Sequence, residues 1–327
     1  MFGPVCDHTE EEETLIVHCG RKIVVPPGEV SVDAVPAIHV ASSYLFDSAE
    51  SLLDVSKGGD GYVYRRLGNE NCMDLSLALA QLEGASQALC LSTGMAAISS
   101  AFIAAGILDG GKRVLGPYSC YGSTYTLLRS RFTNISTCEF TDLGDTVATL
   151  ENIHRLKPDI LYLETSSNPL TIIPDIATLI AAARIANPTV ITMIDNTYAT
   201  PLLVKPLSLG VDVVLHSLTK YINGHGDALA GAIVSSNASF MDSARAAVVD
   251  FGGALSPWDA WLVLRGLRTL GVRMDAIGRN ALAVARHLEA LPTVARIFYP
   301  GLPSHPQFAA VMASSLRQGK YSEAESE

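Results

Sequence analysis

Short apolar runs alternate with longer stretches of helical periodicity through the middle of the chain. The apolar runs occupy residues 88–91, 113–116, 159–164, 190–195, 211–216 and 229–235. Apolar residues also recur at helical spacing, as at 73–83, at 176–187 and in one long amphipathic helix predicted at 256–274. Strands that alternate with helices favour parallel pairing, with helices on both faces of the sheet. The pattern therefore predicts an α/β fold with a mainly parallel sheet flanked by helices.

The same pattern divides the chain into three segments. Residues 1–60 are broken by prolines and glycines, and we predict that they form an irregular N-terminal arm. Residues 61–257 carry the alternating runs and are predicted to form the large domain. Because 327 residues exceed the usual size of one domain, residues 258–327 are predicted to begin a C-terminal domain.

Composition narrows the class of protein. Apolar residues make up 48% of the chain and charged residues 17%, which excludes a disordered chain and fits an enzyme with a large core or subunit interfaces. The net charge is −10, and no basic cluster is longer than the pair Arg65 and Arg66. A nucleic acid is therefore not expected as a partner.

The cysteines and the N-terminal residues bear on the location of the protein. The six cysteines are scattered without a C-x-x-C pair, which indicates reduced thiols; we expect neither a disulfide framework nor a metal site. The N-terminal residues have the layout of neither a signal peptide nor a transit peptide. No apolar run approaches the ~20 residues that span a bilayer. We expect a cytoplasmic protein with no membrane segment.

A lysine, Lys220, follows the apolar run "VDVVLH" and a Ser/Thr turn, and three glycines come soon after it. Such a lysine either extends its ammonium group to solvent or, where its pKa is lowered, forms a Schiff base with a carbonyl group. The glycines would let a flat cofactor approach the backbone. Asp195 ends another apolar run, where it is either a helix N-cap or a partner for the ring nitrogen of a pyridine cofactor.

A phosphate site is predicted where a glycine turn precedes a helix, at "STGM" (92–95). A helix terminus contributes only about 0.3–1 kcal/mol to anion binding, so hydroxyl groups from Ser217 and Thr219 and an arginine from 62–69 are expected to join it. Tyr121 is either a turn aromatic or a residue that stacks on a flat ring and relays protons. Asn168 precedes a proline, and taken alone it is an ordinary turn residue.

Together these segments resemble the pyridoxal-phosphate (PLP) enzymes of cysteine and methionine metabolism. The resemblance rests on Tyr64 and Arg66 followed by "STGM", "YGST", "ETSSNP", "DNTYATP" and "HSLTKYINGHGD", and it extends from about Val17 to about Phe308. The family includes methionine γ-lyase, cystathionine γ-lyase, cystathionine γ-synthase and the O-acylhomoserine sulfhydrylases. The tract "GHGD" (224–227) with the segment 256–274 looks most like methionine γ-lyase.

The resemblance implies PLP as the cofactor and assigns the residues that bind it. It implies that Lys220 is the cofactor-bearing lysine and catalytic base, that Asp195 pairs with the ring nitrogen, and that Tyr121 stacks on the ring and takes part in catalysis. The remaining implied cofactor contacts are Asn168 near the ring hydroxyl, Gly94, Met95, Ser217 and Thr219 around the phosphate, and Tyr64 and Arg66. In the family this last pair enters the neighbouring subunit's site, which implies a dimer within a homotetramer.

The resemblance also implies a fold and a reaction. The fold is that of the type I PLP-dependent transferases, with a C-terminal small domain that looks truncated, because no segment matches the family's arginine for the substrate α-carboxylate. The implied reaction is γ-elimination from methionine or a related sulfur amino acid, giving a thiol, a 2-oxo acid and ammonia. The alternatives are γ-replacement, the cystathionine γ-lyase reaction, or a truncated PLP-binding protein with little activity.

Overall fold

A computed structural model describes residues 10–18, 30–31, 33–309 and 311. The strands of this part of the chain are β1 (Gln87–Leu91), β2 (Arg113–Pro117), β3 (Thr137–Thr141), β4 (Ile160–Glu164), β5 (Ile191–Asp195), β6 (Val213–Ser217) and β7 (Gly231–Ser235). They form one sheet in the order β1-β7-β6-β5-β4-β2-β3. The strands from β6 to β3 in this order run parallel, and β7 is antiparallel to both of its neighbours. The prediction of a mainly parallel sheet is confirmed.

All six predicted apolar runs are strands, and β3 is an additional strand that the pattern did not predict. β3 is the edge strand next to β2, and most of its residues are only partly buried. Strands buried on both faces read as continuous apolar runs, whereas a half-buried edge strand does not. The sequence "TCEFT" of β3 therefore lacked the signal that identified the others.

The helices lie on both faces of the sheet. They are α1 (Glu10–His18), α2 (Ala49–Ser56), α3 (Glu70–Glu83), α4 (Gly94–Ala104), α5 (Gly122–Ser130), α6 (Thr146–Leu156), α7 (Ile176–Ala186), α8 (Thr200–Leu203), α9 (Ala238–Phe251), α10 (Pro257–Leu267) and α11 (Leu270–Glu289). Successive side chains of a strand point to opposite faces. Leu161 of β4 accordingly packs in one apolar cluster with α3, α7 and α10, and Tyr162 packs in the other with α4 and α9.

The prediction of one long helix at 256–274 is wrong, because the helix is interrupted between α10 and α11. At the break the carbonyl of Gly266 accepts hydrogen bonds from the Thr269 backbone N–H, at 3.2 Å, and from Arg273 Nη2, at 2.8 Å. Arg273 Nη1 also donates to the carbonyl of Tyr221 at 2.5 Å, and Nη2 to that of Ile222 at 3.2 Å. The break thus places a guanidinium group against the turn that follows β6.

The N-terminal sixty residues are less irregular than predicted, since α1 and α2 lie within them. Much of this segment, including Cys6 and Cys19, and the C-terminal residues 312–327 lie outside the described residues. In the part that the structure describes, no helix combines the length and the apolar character needed to cross a membrane. The segment boundaries at 60 and 257 stay predictions.

Candidate active site

The carboxyl ends of β4, β5 and β6 open into a cavity of about 240 Å³. Eight of the ten predicted site residues line it: Gly94, Met95, Tyr121, Asn168, Asp195, Ser217, Thr219 and Lys220. These residues are far apart in sequence, and they meet because parallel strands end at the same edge of the sheet. The edge is therefore the candidate active site.

One end of the cavity suits an anion. Helix α4 begins at Gly94, and its N-cap Thr93 accepts a hydrogen bond from the Ala96 backbone N–H through Oγ1, at 2.9 Å. A Cβ atom added to Gly94 would lie 2.7 Å from Cβ of Ser217, so only glycine lets this helix start so close to the end of β6. The positive end of the α4 dipole and the Ser217 hydroxyl therefore face the same space.

The two hydroxyl residues predicted for this end differ in their surroundings. Oγ1 of Thr219 accepts a hydrogen bond from the Ala230 backbone N–H at 3.1 Å and lies 3.3 Å from the Ala230 carbonyl. The backbone N–H of Ser217 donates to Oγ1 of Thr197 at 2.7 Å. Thr219 thus connects the turn before Lys220 to Ala230, the residue that precedes β7. Ser217 instead lies beside the start of α4.

Two carboxyl groups form the opposite, acidic end of the cavity. Asp195 accepts a hydrogen bond from the Thr197 backbone N–H at 2.9 Å, and the residue before α8 is Ala199, so the N-cap interpretation of Asp195 is wrong. Glu164 is the register partner of Asp195 on the neighbouring strand. Burial raises the pKa of the Asp195 carboxyl. Burial, and after it the charge of Asp195, raises the pKa of Glu164 to about 8. A cationic group is the natural partner of this end.

Lys220 lines the same cavity from the turn after β6. Its backbone N–H donates to the Ser217 carbonyl at 3.2 Å, and its carbonyl accepts from the Gly224 backbone N–H at 2.8 Å. The sequence left open whether the Lys220 side chain extends to solvent, and in the single chain it is exposed while lining the cavity. The cavity is therefore open to solvent on the side of Lys220.

Tyr121 and Asn168 line the cavity from two further loops. Tyr121 immediately precedes α5, and its backbone N–H donates to Oε1 of Glu164 at 2.8 Å. The Tyr121 side chain is 45% exposed, which leaves its ring available for contact. Asn168 donates through Nδ2 to the Tyr198 hydroxyl at 2.9 Å.

Tyr64 and Arg66 do not line the cavity with the other predicted residues. Arg66 Nη1 donates to the Val249 carbonyl of α9 at 2.6 Å, and its guanidinium carbon lies 5.6 Å from the centre of the Tyr64 ring. Both residues therefore lie together outside the cavity of their own chain.

The cavity also contains Glu164 and Tyr198, two ionisable residues that were not predicted from the sequence. Glu164 ends an apolar run just as Asp195 does, and the same signal, an isolated carboxylate after a buried strand, would have identified it. Tyr198 lies in "DNTYATP", and nothing in its spacing marks it as a cavity residue.

Comparison with known proteins finds relatives along most of the chain. Residues 13–320 match the family described as Cys/Met metabolism PLP-dependent enzyme. The chain is 39% identical over 281 residues to an L-methionine gamma-lyase of Porphyromonas gingivalis, covering 83% of this chain and 68% of that protein. It is 35% identical over 320 residues to an O-succinylhomoserine sulfhydrylase of Pseudomonas aeruginosa, covering 94% and 77%.

A solved structure has the same fold. The cystathionine gamma synthase of Xanthomonas oryzae pv. oryzae, determined in complex with cystathionine, superposes with a TM-score of 0.83 at 34% identity, over 92% of this chain and 74% of that one.

Proposed function

Because the chain belongs to the Cys/Met metabolism family of PLP-dependent enzymes, we propose that it catalyses γ-elimination from methionine or a related sulfur amino acid. With water, the substrate gives a thiol, a 2-oxo acid and ammonia. The cofactor is pyridoxal 5′-phosphate. The observation that carries the proposal is the meeting of Lys220 and Asp195 in one cavity, supported by the similarity to methionine gamma-lyases.

The residues of the cavity fit this cofactor. Gly94 lets the start of α4 approach Ser217, where an added Cβ atom would clash, so the N-terminus of α4 and the Ser217 hydroxyl can contact the same phosphate group. Asp195 and Glu164 place two neighbouring carboxyl groups at the other end, where a protonated ring nitrogen would supply the missing positive charge. Lys220 lines the same cavity with an amine. The donor set therefore matches a molecule that has an anionic end, a cationic ring and an aldehyde.

Each of these residues has a separate task in the proposed reaction. Bound PLP supplies a ring that stores the electrons released at the substrate's α carbon. Lys220 would hold the cofactor through Nζ, and its amine, free when substrate is bound, would remove the protons from the α and β carbons of the substrate before the γ substituent leaves. Asp195 keeps the ring nitrogen protonated. Tyr121 stacks on the ring, and its hydroxyl relays a proton to the group that leaves the γ carbon.

We expect purified protein loaded with PLP to release 2-oxobutanoate from methionine, measured as the dinitrophenylhydrazone, together with a thiol that is detected separately.

The second candidate is γ-replacement, because the relatives include a sulfhydrylase and a cystathionine gamma synthase. Incubation of O-succinylhomoserine with and without cysteine separates the two: cystathionine formed with cysteine indicates replacement, whereas 2-oxobutanoate indicates elimination. Bound cofactor without either product contradicts both and leaves a PLP-binding protein of little activity.

A shared site between two subunits is part of the proposal. Tyr64 and Arg66 lie outside their own cavity, and the Lys220 side of the cavity is open to solvent. A neighbouring subunit that brings its own pair to this opening would complete the phosphate site with an arginine. We propose a homodimer with shared sites, assembled into a homotetramer. A cytoplasmic location is proposed from the scattered cysteines, among which the sequence contains no C-x-x-C pair.

Arg66→Ala is expected to weaken cofactor retention about tenfold or more, because it removes a charge-assisted hydrogen bond, worth about 1.5–3 kcal/mol, to the phosphate of the neighbouring site. Equilibrium dialysis of PLP against each variant measures the effect. The matched control is Arg65→Ala, since Arg65 donates to the Val40 carbonyl of its own chain at 3.0 Å. If Arg65→Ala loses cofactor and Arg66→Ala does not, the phosphate-binding arginine is Arg65.

A further inference from the structure

Glu164 is a buried carboxyl in the cavity to which the reaction above assigns no task. It ends β4, and only 4% of it is exposed. It lines the same space as Lys220 and Asp195. A carboxyl in such a place is unfavourable unless it is hydrogen-bonded and either neutral or paired with a cation.

The contacts of Glu164 join two loops of the cavity. Oε1 accepts a hydrogen bond from the Tyr121 backbone N–H at 2.8 Å, and the carboxyl also accepts one from the backbone N–H of Asn168. Tyr121 lies between β2 and α5, whereas Asn168 follows β4. One buried side chain therefore links the residue proposed to stack on the ring with the residue proposed to lie near the ring hydroxyl.

The position of Glu164 beside Asp195 determines which of the two carries the charge. They are register partners on adjacent parallel strands, and both side chains face the cavity. Two neighbouring buried carboxylates repel each other, so one of them retains a proton. Thr197 hydrogen-bonds to Asp195 through its backbone and its side chain, and these bonds favour the ionised form of Asp195. Glu164 also accepts two backbone hydrogen bonds that favour its ionised form, but the charge of Asp195 opposes its ionisation, whereas His216 additionally favours the ionised form of Asp195. Glu164 is therefore the protonated member.

The other titratable groups around Glu164 leave this assignment unchanged. They are Cys120 and Tyr121 before α5, Tyr162 on β4, Tyr198 after β5, His216 on β6 and Lys220 after β6. Burial raises the pKa of Cys120 to about 12 and the pKa values of Tyr162 and Tyr198 above their ordinary range. This thiol and these two phenols are therefore neutral near pH 7 and add no negative charge.

We propose that Glu164 is a positioning residue that holds the Tyr121 and Asn168 loops around the cofactor ring while it is itself protonated, so that Asp195 is the single negative charge at the ring nitrogen. This inference rests on the proposed function for the cofactor contacts. The protonation part concerns the chain alone and can be measured without turnover.

The protonated carboxyl has a consequence for stability. The pKa of Glu164 is about 8 in the folded chain, against an ordinary value of 4.5. Between these two values the folded chain holds a proton that the unfolded chain has released. The stability that this proton supports is fully present below the lower value, and it is lost as pH rises through the folded value. Glutamine at this position cannot ionise, and it would remove this pH dependence.

The first experiment compares thermal unfolding of the full chain without added PLP at about pH 6 and about pH 9. Between about pH 6 and about pH 9, we expect the melting temperature of the wild-type chain to decrease by about 2 °C or more beyond the decrease of the Glu164→Gln melting temperature. The matched control is Glu151→Gln, on the exposed face of α6, whose melting temperature is expected to decrease as much as that of the wild type. Equal falls for wild type and Glu164→Gln overturn the assignment of the proton to Glu164.

The second experiment tests positioning through the dissociation constant of PLP. Glutamine retains a carbonyl oxygen for the Tyr121 N–H, whereas leucine has a similar size and no acceptor. We expect Glu164→Leu to bind PLP about tenfold more weakly than Glu164→Gln. Equal dissociation constants overturn the positioning role. The pH comparison needs only the glutamine variant, so it stands if the leucine variant does not fold. Failure of the γ-elimination proposal would instead appear in the product assay, with both of these results unchanged.

Discussion

Lys220→Ala is expected to abolish covalent retention of the cofactor and to lower the rate of elimination by about 10³-fold or more. The substitution removes the amine proposed to hold the cofactor, which is also the proposed base, and a positioned base alone contributes about 10²–10⁴-fold. Reduction with borohydride followed by mass spectrometry of the peptide that contains residue 220 measures the attachment, and release of 2-oxo acid measures the rate.

The control for this substitution is Lys57→Ala, because Lys57 is an exposed lysine at the end of α2 and far in sequence from the cavity. That variant should retain the covalently attached cofactor and the wild-type rate. Borohydride-trapped cofactor on another residue of Lys220→Ala would show that Lys220 is not the attachment site.

Asp195→Asn is expected to lower the rate of elimination by about 10²–10⁴-fold while the cofactor stays attached to Lys220. Removing one partner of a buried ion pair costs about 3–5 kcal/mol, and each ~1.4 kcal/mol is a factor of ten in rate. The amide has nearly the shape of the carboxyl and can still accept from the Thr197 N–H, which Asp195 now does at 2.9 Å. The loss would therefore come from the missing charge at the ring nitrogen.

Two measurements distinguish this effect from a loss of folding. The borohydride test should still find the cofactor on Lys220 in Asp195→Asn, and the rate should fall in kcat. Asp250→Asn, on the exposed side of α9, serves as the control for a carboxyl-to-amide change and should leave kcat as it is. A wild-type kcat in Asp195→Asn would contradict the pairing of Asp195 with the ring nitrogen.

The strands of this fold were predictable from sequence because the central strands are buried on both faces. β4, "ILYLE", is buried at every position, so it reads as an apolar run, whereas the edge strand β3 does not. The break between α10 and α11 was not predictable in the same way. It is accompanied by hydrogen bonds from Arg273 to carbonyls of the turn after β6, about fifty residues earlier in the chain, and helical periodicity contains no information on such a contact.

The site was largely predictable because its residues follow strands whose carboxyl ends meet. Asp195 is the polar residue that ends one apolar run, Lys220 follows another run and its Ser/Thr turn, and the two share one cavity. Glu164 ends its run just as Asp195 does, so the same signal was present there. The sequence could not decide between an exposed and a covered Lys220, because the coverage of the cavity is a property of the assembled surface.

The contacts of the Arg273 guanidinium affect the design of chimeras between this chain and its relatives. It holds the carbonyls of Tyr221 and Ile222 on one side and that of Gly266 on the other. A Cβ atom added to Gly266 would lie 2.1 Å from the Asn223 carbonyl oxygen, so α10 also touches the turn directly. The position of the turn that carries Lys220 therefore depends on α10 and α11 as well as on β6. A chimera joined ahead of α10 would replace these contacts along with the helices, even where the sequence around Lys220 is left intact.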